Sequence, residues 1–590
     1  MLIEIIYDMD TCQIRRGKNY MKGILAMEKP WIKHYDKGVP AVIDFPRVPI
    51  DRSLKDAADA YPDRAATVFG ARVGPFLLDG SLTYKELNES VNRFASGLQK
   101  MGIKKGERVA IMLPNCPQFI IAAYATWRIG AIVVCCNPLY VQREIEYLIN
   151  DSGAATFIVM SSLYERVKGI RNKTCLKKVI VTNIKEYFPA LLKMLFSLTR
   201  EKKEGHLVDI SGDTETYRFQ EIMATSSDMP ATVDIKPGDT STLIYTSGTT
   251  GKPKGAQHTH ASQVFNSCLL NIWAKSRRGE DIMLAAMPFF HIYGLAIILN
   301  TAIAGGLTTV LIPNPRDMKH VLMAIEKHHV TYYLGVPAMF VGFNNHPERQ
   351  KYDMSSLRFA ASAAAPLAPE VQTRFEANTR GKMVEAYGLT ETICASMNPV
   401  ENVRHNSIGV PMPNTDMKIV DADNGEKELL PDETGEIIIK GPQVMKGYWE
   451  KAEETAGVLR KGPDGEHGWF YSGDIGYVDK DGFFHIVDRK KDMIITSGYN
   501  VYPAEVESVL FEHPSIMEAA VIGVPDESKG EIVKAFIVLQ AGGKAGKDEI
   551  TAFCRERMAA YKVPKVIDFR TELPKSLVGK VLRRELRDRG

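Results

Sequence analysis

The sequence lacks the marks of several protein classes. Only eight of its 590 residues are cysteine, scattered and never in a C-x-x-C pair. That excludes a zinc knuckle and a disulfide scaffold, and makes a reducing cytoplasm the easier setting. No excess of either charge is present: 74 Lys and Arg stand against 71 Asp and Glu, a formal net charge of +3. Such a balance gives no basic face of the kind a nucleic-acid partner requires. At 45% hydrophobic and 25% charged residues, the composition fits neither a disordered chain nor a collagen. The first ten residues are apolar in flavour but carry Glu4, Asp8 and Asp10 and no basic leader, so they do not read as a signal peptide. One absence points the other way, because no Asp, Glu, Lys or Arg occurs between Ile282 and Pro315. A window inside that run is long enough for a spanning helix. Pro288, His291, Asn300 and Gly305-Gly306 break it, and it reads instead as a buried helix over 293–303, a turn, and a buried strand over 307–312.

What is there is a chain long enough for more than one domain. From about residue 55, short β-branched runs alternate with amphipathic helical segments. Thr83 and Glu86 form a capping box, and Leu87, Val91, Phe94 and Leu98 follow at helical spacing up to Gly102. Strand-like runs at 108–113, 131–135, 156–160 and 178–182, with a helix over 141–150, predict a parallel α/β sheet. The pattern resets at the charge cluster 488–492. Beyond it the spacing predicts a smaller α+β unit, with helices over 504–512 and 547–560 and strands over 519–522 and 533–539. Residues 184–200 predict one helix with Ile184, Tyr187, Phe188, Leu191, Leu192, Leu195 and Leu198 on one face and Lys185, Lys193 and Arg200 off it. Such a face suits a membrane interface or packing on its own domain equally. The polar stretch 202–216 predicts a flexible loop.

The chemistry concentrates in Tyr245-Thr246-Ser247-Gly248-Thr249-Thr250-Gly251-Lys252-Pro253-Lys254-Gly255. Three glycines let backbone approach a ligand closely, while Thr246, Ser247, Thr249, Thr250 and two lysines supply donors and positive charge. That set suits a polyphosphate. It is not the Walker A pattern, since no glycine lies five positions before a Gly-Lys-Ser/Thr.

This loop resembles the signature of the adenylate-forming superfamily, and further segments agree in the same order. They are Met287-Pro288-Phe289-Phe290-His291-Ile292-Tyr293-Gly294, Ser362-Ala363-Ala364-Ala365-Pro366-Leu367, Tyr387-Gly388-Leu389-Thr390-Glu391, Tyr471-Ser472-Gly473-Asp474, residues 488–492, and Gly579-Lys580. Within the superfamily, Gly441-Pro442-Gln443-Val444-Met445, Asn500-Val501-Tyr502-Pro503 and Leu582-Arg583-Arg584-Glu585-Leu586 are similar to bacterial long-chain fatty-acid–CoA ligases. The resemblance implies an α/β fold: a large N-terminal adenylate-forming domain with parallel-rich sheets, and a small mobile α+β C-terminal domain. It sets boundaries at 1–50 (extension), 51–488, 489–491 (hinge, turning at Lys491) and 492–590.

The implied reaction joins a fatty acid, ATP and coenzyme A through an acyl-adenylate, with Mg2+ as cofactor. ATP contacts fall on Thr246, Ser247, Gly248, Thr249, Thr250, Gly251, Lys252, Lys254, Ala364, Glu385, Ala386, Tyr387, Gly388, Asp474 and Arg489. Tyr387 would stack on adenine, and Asp474 would accept the ribose hydroxyls with Arg489 beside it. Thr390 would contact phosphate, Glu391 would hold magnesium, and Lys580 would bridge carboxylate and α-phosphate. His291 would lie near the acyl carboxylate, although a buried structural histidine fits it equally well. Ser497, Gly498 and Tyr499 would line the coenzyme A passage. Ala363-Ala364 stand where relatives more often carry glycine, and Ser576-Leu577-Val578 where many carry Thr-x-Ser. No cysteine is given a nucleophilic role. Left open are a medium-chain or aryl acid as substrate, an acceptor other than coenzyme A, a non-catalytic binding protein, a homodimer, membrane contact through 184–200 on the inner face of the cell membrane, a start at Met21 or Met27, and disorder of the first fifty residues, which match no pattern.

Overall fold

The computed structural model describes residues 29–246, 252–496, 499–526, 530–540, 542–575 and 581–588. Two large sheets carry the first 400 residues. One has a parallel centre formed by Ile282–Ala285, Thr308–Leu311, Tyr332–Gly335, Phe359–Ser362 and Lys382–Tyr387. The other is built on Arg108–Met112, Ile132–Cys135, Thr156–Met160, Lys178–Thr182 and Thr240–Thr246, again parallel. Successive strand residues alternate between faces. Val109 and Ile111 therefore enter the core shared by the two sheets, and Ala110 and Met112 pack on the outer side.

Between the sheets lies the helix Pro117–Arg128, all of whose residues are buried, as an all-round apolar helix must be. The capping box at Thr83 forms as expected and starts the helix Tyr84–Lys100. The charge-free run folds as a buried π-helical segment, Tyr293–Leu299, continued by Asn300–Gly305 and closed by Gly306 in the left-handed region. The strand Thr308–Leu311 follows it. Asn300, fully buried, donates to Gln263 Oε1 at 2.8 Å and accepts from Tyr124 at 3.1 Å, so its amide is satisfied inside the core. Among the described residues no helix is long and apolar enough to cross a membrane.

An antiparallel sheet follows, formed by Asp416–Val420, Gly435–Lys440, His467–Val478 and Phe484–Arg489. The remaining strands, Ile494–Thr496, Tyr499–Val501, Ile516–Asp526, Gly530–Leu539 and Val566–Phe569, form a separate sheet. With the helices Pro503–Phe511, Lys547–Arg555 and Arg583–Asp588 they make the smaller C-terminal domain. This is the α/β architecture with a small α+β lobe that the sequence implies.

Three expectations are corrected. Residues 184–200 are not one helix: a 3-10 turn, Ile184–Tyr187, ends before Pro189, and Ala190–Thr199 starts afresh. Proline cannot donate within a continuing helix and restrains the residue before it. The apolar face is divided accordingly. Phe188, Leu192 and Phe196 are buried, whereas Leu191, Met194 and Leu198 are exposed. The stretch 202–216 is irregular but anchored, with His206 buried against Ser161 at 2.7 Å and Asp213 bonded to Thr216 and Arg171. Finally, residues 29–50 are ordered and packed. Lys29 pairs with Asp416, Trp31 meets Phe484, and Tyr35 packs on Trp273 while its hydroxyl donates to the Pro411 carbonyl. Asp36 accepts from the Val400 and Glu401 amides, and Phe45 packs on Phe265. Hydrophobic periodicity misses such a segment because its one regular element is the short 3-10 turn Pro30–His34.

Candidate active site

Open α/β sheets bind ligands beyond the carboxyl ends of their strands, and Thr246, Ala364 and Tyr387 stand at or just past such ends in the two large sheets. Thr246 ends the strand Thr240–Thr246 and faces Lys254 across the antiparallel ladder to Lys254–Thr259. The two strands that flank the glycine-rich segment thus pair as a hairpin. Its stems are pinned: Tyr245 donates to Asp151 at 2.9 Å, Lys451 pairs with Asp151 at 2.8 Å, and Tyr147 donates to the Pro253 carbonyl at 2.8 Å. Lys252 is exposed with its ammonium over the Tyr147 ring, and Lys254 lies over the Tyr448 ring.

Tyr387 ends the strand Lys382–Tyr387, with Glu385 and Ala386 before it. Gly388 is required next: a Cβ there would lie 1.6 Å from the Ile393 carbonyl oxygen. Ala364 follows the neighbouring strand Phe359–Ser362 with φ +69°. A left-handed conformation costs an alanine about 1–2 kcal/mol.

Asp474 lies inside the strand His467–Val478, directly across from Arg489. Its carboxylate accepts from the Tyr387 hydroxyl at 2.6 Å and pairs with Arg489 Nε at 2.6 Å. Three residues from two sheets therefore form one polar cluster. Glu391 lies in the turn after Tyr387, not in a helix. Tyr448 donates to its carboxylate at 2.7 Å, while burial raises its pKa against that bond.

The turn itself is held by residues outside the expected site set. His258 lies 2.7 Å from the Thr390 carbonyl through Nε2, and the Met445 amide donates to the Glu391 carbonyl at 2.7 Å. Burial pushes His258 down to about 4, so the ring is neutral at pH 7 and the carbonyl requires the proton on Nε2. Only the Gly441–Met445 resemblance hinted at the second contact, and nothing hinted at the first, which spans 132 positions.

His291 does not join the Asp474 cluster. It follows the strand Ile282–Ala285, accepts the Tyr293 amide at 3.2 Å, and is pushed by burial down to about 4. It is therefore a neutral imidazole at pH 7. Ser247, Gly248, Thr249, Thr250, Gly251, Ser497, Gly498 and Lys580 lie outside the described residues, as does the Tyr499 side chain. Lys491 follows Arg489 in a 3-10 turn leading to the small-lobe sheet. Among the described residues no cluster of three His, Cys, Asp or Glu could hold a metal. A magnesium ion needs none when phosphate oxygens supply its other ligands, and Glu391 offers the single carboxylate such an arrangement uses. Five cysteines behave as core residues, since Cys116, Cys135, Cys136, Cys394 and Cys554 are buried and burial raises each thiol, whereas Cys175 is exposed and Cys268 half-buried.

Residues 54–449 match the model of the AMP-binding enzyme family, and residues 505–580 match the AMP-binding enzyme C-terminal domain. The chain belongs to the AMP-binding enzyme family. Within it, the chain is 40% identical to a long-chain-fatty-acid–CoA ligase of Bacillus subtilis over 95% of its own length and 98% of that protein. It is 37% identical, with the same coverage, to the ligase of that name from Escherichia coli O157:H7. Among solved structures, ATP-bound MatB from Rhodopseudomonas palustris superposes with a TM-score of 0.78 at 27% identity, covering 92% of this chain and 99% of that one.

Glu385 gives this AMP-binding enzyme a pH signature. The side chain accepts the Leu367 amide at 3.3 Å, and burial pushes it up to about 8. The folded state then keeps a proton that the unfolded chain releases near pH 4.5, so stability falls as pH rises between those values. The Glu385→Gln variant is expected to lack that fall. Its melting temperature should gain on the wild type steadily from pH 5 to pH 8, as thermal melts would register; parallel curves would refute the assignment.

Proposed function

We propose that this protein is an ATP-dependent fatty-acid–CoA ligase acting on long-chain acids, forming acyl-CoA, AMP and diphosphate through an acyl-adenylate. The reading is carried by one observation: Tyr387, Asp474 and Arg489 converge beside the Thr390-Glu391 turn, at the strand ends of a chain 40% identical to a long-chain-fatty-acid–CoA ligase. A carboxylate attacking the α-phosphorus meets like charge, so the site must supply cations and oriented donors. The hairpin ending in Lys252 and Lys254 would hold the outer phosphates. Asp474, with Arg489 beside it, would accept the ribose hydroxyls, and the Tyr387 ring would lie against the base. Glu391 would hold magnesium, which supplies charge neutralisation at the phosphates when bound. His291, neutral, would orient the acyl carboxylate by hydrogen bonding.

Lys580 would place an ammonium at the developing charge. Coenzyme A would then enter after the small lobe turns about Lys491, along Ser497, Gly498 and Tyr499. The apolar π-helical segment beyond His291 would wall the acyl chain, each buried methylene contributing about 0.8 kcal/mol. Diphosphate release with a panel of acids, with and without coenzyme A, tests the reading. Long-chain acids should give the highest kcat/KM and a thioester only when coenzyme A is present. A preference for aryl acids, or no nucleotide consumption with any acid, would overturn it.

The helix Ala190–Thr199 supports a peripheral contact with the inner face of the cell membrane. Leu191, Met194 and Leu198 point outward, and Lys193, Lys202 and Lys203 are exposed beside them. That pairing suits an anionic leaflet. Flotation with phosphatidylglycerol vesicles should recover the wild type, and replacing all three apolar residues by Gln should lower recovery about tenfold. Equal recovery of the two proteins would sink the idea.

A further inference from the structure

Asp488 stands in the last strand of the antiparallel sheet, facing Ile475 and adjacent to the Asp474–Arg489 pair. Its side chain is only 2% exposed, yet two of its partners lie beyond the expected hinge. Oδ2 accepts the Ala504 amide at 2.6 Å. Ala504 is in the first turn of the helix Pro503–Phe511, whose amides have no intrahelical acceptor and whose own N-cap residue, Tyr502, provides no side-chain cap. Oδ1 accepts the Arg489 amide at 2.7 Å and lies 3.5 Å from Arg583 Nη1.

Arg583 is otherwise held within the small lobe. Its Nη2 bonds both carboxylate oxygens of Glu507, at 2.8 and 2.7 Å, and its Nη1 is 3.4 Å from Asp492, which also pairs with Arg587 at 2.9 Å. Those contacts would travel with the lobe in any rotation about Lys491. The two that Asp488 makes beyond the hinge would not. Arg583 lies only three positions after Lys580.

We propose that Asp488 is a positioning residue that caps Ala504 and pairs with Arg583 across the hinge, and so holds the small lobe in the one orientation those two contacts allow. Resting on the ligase reading above, the inference assigns Asp488 to the adenylating half-reaction and requires its release for thioester formation. A buried carboxylate suits the task because it is strong while made and specific to one orientation. When the lobe turns, Ala504 and Arg583 leave together, so the hold is lost as a unit.

The test measures the two half-reactions of the full chain separately. In Asp488→Ala, fatty-acid-dependent exchange of diphosphate into ATP should fall about tenfold or more, while thioester formation from supplied acyl-adenylate and coenzyme A should stay within about twofold of wild type or rise. Asp488→Glu should restore part of the exchange. Equal losses in both halves, or undiminished exchange, would overturn the proposal. If Asp488→Ala does not fold, Asp488→Asn, which keeps an acceptor for Ala504 but loses the charge facing Arg583, is judged by the same ratio. Tryptic cleavage within 489–491 supplies a readout independent of activity. It should be several-fold faster in the variant, and equal rates would count against the hold. A wild type that performs neither half-reaction would refute the ligase reading, while the cleavage rates would still decide whether Asp488 retains the lobe.

Discussion

Lys580→Ala is expected to abolish acyl-adenylate formation while sparing thioester formation from supplied acyl-adenylate. The effect is electrostatic. In the first step negative charge accumulates between an incoming carboxylate and the α-phosphate, and a fixed ammonium is stronger against the transition state than against either ground state. Removing one such group from a preorganised site costs on the order of 3–4 kcal/mol, a factor of about 10² to 10³. In the second step the nucleophile is a neutral or anionic thiol and the phosphate is already leaving, so the same ammonium has no comparable work. Single-turnover assays of each half-reaction would measure the contrast. A proportional loss in both would mean that Lys580 supports the fold or general binding, not the adenylating step.

The second large effect is expected from Asp474→Ala, and it has two parts. The carboxylate is 4% exposed and answers both the Arg489 guanidinium and the Tyr387 hydroxyl. Without it Arg489 loses the carboxylate that pairs with its guanidinium. Breaking a buried pair typically costs about 3–5 kcal/mol. Here the lower end applies, because 29% of the Arg489 side chain remains exposed. Independently, the charged acceptor proposed for the ribose disappears, which should raise KM for ATP by roughly 10- to 100-fold at about 1.5–3 kcal/mol for such a bond. Chemical denaturation should report the first loss and steady-state kinetics the second. Asp474→Asn separates them, since it keeps an acceptor of the same shape: stability should recover further than ATP affinity. An unchanged KM in both variants would remove Asp474 from the nucleotide site.

Much of this arrangement is legible along the chain, and the exceptions share a physical cause. The strands Thr156–Met160 and Lys178–Thr182 and the capped start at Thr83 follow from local patterns, because a strand buried on both faces and a capping box each write themselves into consecutive residues. Tyr387, Asp474, Arg489 and Glu391 were reachable only through the family resemblance, since no local rule links positions a hundred residues apart. The structure then shows what the resemblance does not contain, namely that Asp474 is a strand residue bonded to Tyr387. His258 and Tyr448, which steady the Thr390-Glu391 turn, leave no trace in the sequence. Each is an ordinary residue in an ordinary strand, and its role exists only in three dimensions. Residues 184–200 show the opposite error, in which hydrophobic spacing carries a helix through Pro189 although the backbone cannot.

The packed segment 29–50 has a mechanical consequence. It runs from Asp416 and Phe484, on the sheet that bears Asp474 and Arg489, to Trp273, Phe265 and His260, beside the sheets that end in Tyr387 and Thr246. A pivoting body transmits its motion faithfully only if its bearing is bolted to the frame. This girder ties the mounting of the proposed pivot to the bed on which the nucleotide would rest, so play between them would be taken up before any swing began.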